Sequence, residues 1–318
     1  MVAVNRTNPI KAKSSDSQYT LVEFMETFLT DAACLEWLWK RRFSKDGEHA
    51  HCPKCDKIRS FKRYGSHQLK VSWTCVACGY HIHPLARTIF EKSSTSLRLW
   101  FYAMYLMVST KCGISAKQLE RELGVTYKTA WRMAYLIRKY LMEQTGEPLG
   151  KNEGVELDET FIGGKAHNMH KAKRTRLGGR GTAGKVPVFG AVERHGRVVA
   201  VTVPNVDRVT LLPQVTRHVI PASTVYTDEM GAYDPLIENG YNHKRINHME
   251  KVYVSGDVHT NTIEGFWSLV KRGIGGVYHA VSAKHLQGYL NEYAWRYNHR
   301  DDERAQFETL LLRAAAGS

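Results

Sequence analysis

Apolar positions along the chain keep a helical period through the first half and switch to strand alternation in the second. After a polar stretch over 1–18, Leu21, Phe24, Met25 and Phe28 recur at helical spacing. A second helix is predicted from Asp31, with Cys34, Leu35, Leu38 and Trp39 on its inner face. Residues 97–108 are almost wholly apolar and predict a buried helix. Leu119 and Leu123 then mark one face of a helix that ends at Gly124, and Thr126 opens a longer one with Ala130, Met133, Ile137 and Tyr140 inward. The polar segment 144–153 separates this helical half from one patterned as strands. Strands are predicted over 154–164, 185–193, 198–203 and 224–228, the second and third joined as a hairpin through Arg194 and His195. Helices are predicted over 209–219, near Gly231, from Thr262 and from Ala283, with a short strand over 244–247. Three strands followed by alternating helix and strand predict a mixed α/β sheet with helices on its faces.

Six cysteines change the picture of the first half. Four of them form Cys52-Pro53-Lys54-Cys55 and Cys75-Val76-Ala77-Cys78, with nineteen residues between the pairs. Two residues between cysteines let one tight turn aim both sulfurs at a single ion, and two such turns complete a tetrahedral zinc site. Gly79 supplies the glycine that such a turn favours. Two disulfides are the rival, disfavoured because 1–18 lacks the apolar core of a secretion signal. A redox pair is another, and it leaves the second pair unexplained. The stretch between the pairs carries Phe61, Lys62, Arg63, Tyr64, Lys70 and Trp73. Cys34 and Cys112 read as ordinary buried thiols.

Charge adds a partner. The 318 residues hold 45 Lys and Arg against 31 Asp and Glu, a net +14, of which residues 1–150 carry +10 and the remainder +4. A basic excess loaded into one half points to nucleic acid, against the plainer reading of a solubilising surface. The helix pair around Gly124 fits a helix-turn-helix whose second helix turns Tyr127, Lys128, Thr129 and Arg132 to DNA, though plain helical hairpins share the pattern. Residues 165–185 hold seven Lys and Arg and no acid, predicting a mobile basic loop. Without that loop the second half is slightly acidic, at −3. The longest apolar run, 99–108, has ten residues, too few for a membrane span, so a cytoplasmic protein is expected.

Three acids stand where a metal site needs them: Asp158 within the first strand of the second half, Asp228 at the end of the fourth, and Glu264 on a helix. Sixty-nine residues separate the first two and thirty-five the last two. Magnesium prefers oxygen ligands, so a few convergent carboxylates suffice to hold it for phosphodiester chemistry. Taken singly, each acid has the dull reading of a solvated surface charge. Lys271, seven residues after Glu264, falls within about 20° of the same helix face, where it could hold a DNA phosphate. Phe266 and Trp267 read as core, with base stacking as the alternative. Asn261 and His259 lie within one turn of Glu264 and compete with it as third ligand; the spacing and the same-face lysine favour Glu264.

These motifs together resemble the DDE transposases of bacterial insertion sequences, and within them the ISXO-like group with an N-terminal zinc ribbon. The resemblance rests on Cys52 to Cys78, on VELDETFIGG from Val155, on YTDE from Tyr226, on HTNTIEGFWSLVKR from His259, and on YLNEYAWRYNHR from Tyr289. It covers about residues 20–312. It implies an RNase H-like mixed sheet with flanking helices, preceded by a zinc ribbon and a helix-turn-helix region. It further implies Mg²⁺ or Mn²⁺ at Asp158, Asp228 and Glu264, structural zinc at the four cysteines, and phosphate contacts from Lys271 and Arg272. The expected organisation is a disordered 1–18, a helical lead and ribbon over 19–92, a helix-turn-helix region over 93–150, and a catalytic domain over 151–318. The expected activity is cleavage of element ends and strand transfer into target duplex DNA by a homodimer or larger assembly at the bacterial nucleoid. A DNA-binding regulator with a relic catalytic domain and an RNase H-like repair or junction nuclease are the alternatives.

Overall fold

Threonines start the first two helices. The Thr20 hydroxyl accepts the Glu23 amide at 3.2 Å while the Glu23 carboxylate accepts the Thr20 amide, a reciprocal cap that opens α1 (Leu21–Thr27). Thr30 caps α2 (Asp31–Arg42) through the Ala33 amide. The computed structural model describes residues 19–65, 71–110, 112–144, 146–151, 153–164, 170–176, 182–246, 259–302 and 304–317. The expected polar terminus 1–18 lies outside them, as do 165–169 and 177–181 of the basic loop. The chain divides into two compact units, Met1–Leu141 with Arg300–Ser318, and Met142–His299.

In the first unit α2 leads into β1 (His49–Cys52), β2 (Lys57–Tyr64), β3 (Ser72–Cys75) and β4 (His81–Ile82), an antiparallel sheet in that order. Trp39 of α2 stacks on Trp73 of β3 with ring centroids 4.8 Å apart, and its indole donates to the Gly47 carbonyl at 2.7 Å. Three helices follow: α3 (Leu97–Ser109), α4 (Ala116–Leu123) and α5 (Tyr127–Leu136). Gly124 ends α4 at φ +63°, a conformation that costs glycine little, and the Thr126 hydroxyl caps α5. Tyr140 departs from the expected inward stripe. A π-helical turn over Ile137–Leu141 advances the phase, burying Leu141 and leaving Tyr140 exposed. Cys34 is buried as expected, whereas Cys112 is exposed in the turn before α4. The last helix of the chain, α10 (Gln306–Ala316), belongs to this unit and packs on α2 and α3. Its Phe307 meets Phe24 and Phe28 at 5.7 and 6.1 Å, an aromatic contact that outweighs its position after the sheet residues in sequence.

The second unit is a mixed α/β layer structure. Its strands are β5 (Val155–Ile162), β6 (Val186–Glu193), β7 (Val198–Thr202), β8 (Thr224–Thr227) and β9 (Asn242–Arg245), in the order β7-β6-β5-β8-β9. β6 runs against its neighbours, while β8 is parallel to β5 and to β9. A short α6 (Lys171–Arg176) follows β5, and α7 (Arg208–His218) links β7 to β8. α8 (Asn261–Gly273) and α9 (Ala283–Asn298) close the unit. The helix expected near Gly231 is a 3₁₀ segment, Gly231–Leu236, holding Pro235. Alternation along β5 sends Val155 and Leu157 to a core with Leu211 and Val215 of α7. Ile162 goes to the opposite core with Ile263, Phe266 and Trp267 of α8 and Leu290 of α9. Along β7, an outer strand among the described residues, side-chain amides take the place of a further strand. Asn298 bonds both backbone groups of Val198, Gln144 both of Ala200, and Gln287 accepts the Thr202 amide at 2.9 Å. Among the described residues no helix is long and apolar enough to cross a membrane.

Candidate active site and metal centre

The acids of the second unit meet because of register. β5 and β8 lie parallel with Glu156 beside Tyr226, so the next same-face positions are Asp158 and Asp228, the residue that follows β8. On its other side Asp158 pairs with Gly190 of β6. A Cβ at Gly190 would stand 2.3 Å from the Trp267 ring, so this glycine opens the slot in which the indole lies. α8 buries Ile263, Phe266, Trp267 and Val270 against the sheet, which leaves Glu264 exposed in its first turn. Burial, then the Asp228 carboxylate and, more weakly, Glu264, push Asp158 up to about 6. The Trp267 indole N–H, buried without a hydrogen-bond partner, lies close enough to Asp158 to favour its charged form.

Sequence reading missed two acids of this strand. Glu159, on the opposite face of β5, is raised to about 8 by burial and then by Asp158 and Asp228, and its Oε1 is buried without a partner. Glu156 is fully buried, and its carboxylate accepts the amides of Thr262 and Ile263 at 2.8 and 3.0 Å. No signal in the sequence separates either from an ordinary strand-face carboxylate. His259, one alternative to Glu264, turns its Nδ1 to Glu156 at 3.1 Å, and Asn261 is exposed at the start of α8. Lys271 and Arg272 are exposed in the last turn of α8, the Arg272 Nε donating to the Ser268 carbonyl. In the first unit Lys128 and Arg132 are exposed on α5, as the helical spacing predicts.

The cysteines form a tighter cluster. Each pair sits in a turn of the same design: the Asp56 amide donates to the Cys52 carbonyl at 2.8 Å and the Gly79 amide to Cys75 at 2.9 Å. Asp56 and Gly79, each one residue past a pair, take φ +53° and +71°. The pairing of β2 with β3 places Cys75 beside Phe61, so both turns open at one end of the sheet. All four sulfurs lie within 4.8 Å of one another and none is in a disulfide. A tetrahedral zinc with bonds of about 2.3 Å sets sulfurs about 3.8 Å apart, so the cluster fits that ion in both donor type and size. The crowding splits the thiols. For Cys52 hydrogen bonds from the Cys55 amide and the Cys78 thiol outweigh burial, to about 7; for Cys78 burial and the three neighbouring thiols outweigh the Tyr80 amide, to about 12. A divalent cation lets all four ionise together. Among the described residues this is the one group of three or more Cys, His, Asp and Glu ligand atoms so close; the three acids are set more widely.

Residues 150–298, almost the whole second unit, match the model of the ISXO2-like transposase domain. Over 286 residues the chain is 32% identical to a protein of Halobacterium salinarum described as an uncharacterized protein in transposable element ISH50, covering 86% of this chain and 92% of that one. The chain belongs to the ISXO2-like insertion-sequence transposases. An uncharacterized transposase-like protein of Haemophilus influenzae is 36% identical over 105 residues, 33% of this chain and 84% of its own length. The structure of a simian T-cell lymphotropic virus intasome in complex with PP2A regulatory subunit B56 gamma aligns over 66% of this chain and 71% of that one. Its identity is 13% and its TM-score 0.31, too slight a likeness to bear on the fold.

Proposed function

We propose that the chain binds the ends of its insertion element and cuts and joins DNA there, on an RNase H-like sheet that carries Asp158, Asp228 and Glu264. One observation carries this reading: an aspartate on β5 and another just past the adjacent parallel β8, with a glutamate on the helix across the same face, where burial and then the Asp228 charge raise Asp158 to about 6. The strand order, with one antiparallel strand among parallel neighbours, supports the RNase H-like assignment, and family membership supports DNA as the substrate. Magnesium or manganese held by the three carboxylates would supply Lewis-acid stabilisation of charge on the phosphodiester oxygens.

The protein's own share is to hold and orient. Asp158, Asp228 and Glu264 provide hard oxygen donors, and Trp267 closes the sheet side of the site to water. Lys271 and Arg272 fix the DNA backbone beside the acids. Water attacks in the first cut and the freed 3′-hydroxyl in the joining step, so no side chain becomes covalently attached to DNA. In the first unit zinc at Cys52, Cys55, Cys75 and Cys78 stabilises the small sheet, while α5 presents Lys128 and Arg132 to a major groove. Concerted cutting of two ends calls for two or more copies on the DNA.

The test is a duplex carrying an element end, incubated with the protein and Mg²⁺ or with a chelator. A nick that leaves a 3′-hydroxyl, and joining of a pre-nicked end to a target duplex, both dependent on the metal, are expected. End binding without cleavage would leave a DNA-binding regulator, and cleavage without joining a nuclease. Arg132→Ala and Lys128→Ala should each weaken end binding by about 1–3 kcal/mol where they touch bases, with the steep salt dependence of phosphate contacts.

A further inference from the structure

The structure assigns Glu156 as the residue that positions Glu264, an inference that rests on reading Asp158, Asp228 and Glu264 as the metal-binding acids. The first amides of a helix have no partners within it, and the N-cap residue of α8, Thr260, makes no side-chain cap. Glu156 takes that place from another element. Its Oε2 accepts the Thr262 and Ile263 amides, and its Oε1 accepts the Thr262 hydroxyl and the Arg194 Nε, both at 2.9 Å. Arg194 extends the clamp: it donates to the His259 carbonyl at 2.8 Å and lays its guanidinium 3.9 Å from the centre of the Tyr226 ring.

The clamp therefore holds one residue on each acid-bearing element, and each acid follows its clamp residue by two positions. Asp158 follows Glu156 on β5, Asp228 follows Tyr226 beyond β8, and Glu264 follows Thr262 on α8. Among the described residues, the Glu264 carboxylate has a 3.5 Å contact with the Thr260 hydroxyl and no shorter one. Its place relative to Asp158 is set through the backbone of α8, which Glu156 ties to the same face of β5. Loss of the Glu156 carboxylate would leave a donor-rich helix start facing an amide and let the first turn drift.

The test uses the full chain. In metal-free protein, Glu156→Gln should speed hydrogen exchange at the Thr262 and Ile263 amides about tenfold or more, and Glu264→Gln should leave them unchanged. Mn²⁺ titration followed by electron paramagnetic resonance should show each single variant binding about tenfold more weakly, the usual scale for a group that orients a ligand. The double variant should bind no more weakly than Glu264→Gln alone, because Glu156 acts only through Glu264. Multiplied losses in the double variant, or wild-type Mn²⁺ binding by Glu156→Gln, would overturn the assignment while the metal site stands. Wild-type Mn²⁺ binding by Glu264→Gln would instead overturn the underlying reading of the acids. Should Glu156→Gln fail to fold, Thr262→Val removes one donor at nearly constant shape. It should give the same non-additive pattern at about two- to threefold, and additivity there would equally overturn the inference.

Discussion

The sulfur cluster of the first unit and the carboxylate cluster of the second are built by opposite routes. The cysteines come from one 27-residue stretch, in two turns of the same design, and all four sulfurs converge within 4.8 Å. The acids come from β5, the residue just past β8 and α8, spread over residues 158–264, and they stay further apart. A closed site substitutes for a hydrophobic core and gains from tight local geometry. On the proposed reading an open one must leave room for a phosphodiester between its ligands, so its precision would come from behind, through groups such as Glu156. Burial and close neighbours leave their mark in both, as perturbed thiols in one and raised carboxyls in the other.

That contrast can be broken most directly at the acids. Asp228→Asn should lower cleavage and joining about 10³-fold or more, the scale for removing a major electrostatic contribution, while end binding by gel shift stays intact. Retained activity would remove the site from the second unit altogether. Cys75→Ser, or chelation, should unfold residues 45–85 without changing the melting of the sheet unit, as mapped by amide exchange. The preparation should hold about one zinc per chain. Protection of 45–85 that ignores chelators would show a ribbon that needs no metal. Glu264→Gln should cost about 10²–10³ in rate on a pre-nicked end and Asn261→Ala much less; the reverse order would move the third ligand one turn back.

The smallest effect sharpens the electrostatics. The folded values of Asp158 and Glu159 are raised from 3.8 and 4.5 to about 6 and about 8. Their contribution to stability is therefore full below the unfolded values and is lost as pH rises through the folded ones. Metal-free protein should lose roughly 5 °C in the melting temperature of the sheet unit between pH 5 and pH 8, and Mg²⁺ should restore most of it. A flat profile would mean that the acids are neither buried nor crowded as described.

Legibility in the sequence followed the range of the interactions. The cysteine turns, the threonine cap at Thr126 and the stop at Gly124 are short-range features, and their residues announce them. The strands that carry Asp158 and Asp228 are legible from alternation and apolar runs, and so is the helix under Glu264. Glu156 is not. It precedes Leu157 as any strand-face carboxylate would, and its partners at 194, 259 and 262 come together only in the folded chain. Gly190 is equally silent until Trp267 lies across it. Tyr140 shows a subtler limit, because a single π turn shifts the phase of a helix that its own composition describes as regular.

The amides along β7 carry a consequence for how copies of this protein can meet. An unpaired strand edge is a template on which another chain can add a strand, and long-lived oligomers or aggregates begin there. Asn298, Gln144 and Gln287 already bond the outward groups of Val198, Ala200 and Thr202. At the other edge β9 is only four residues long and ends in Lys244 and Arg245, a short charged strand that repels such pairing. Among the described residues both margins of the sheet resist strand addition, so the assembly proposed above would join its copies through helices, loops or the DNA itself.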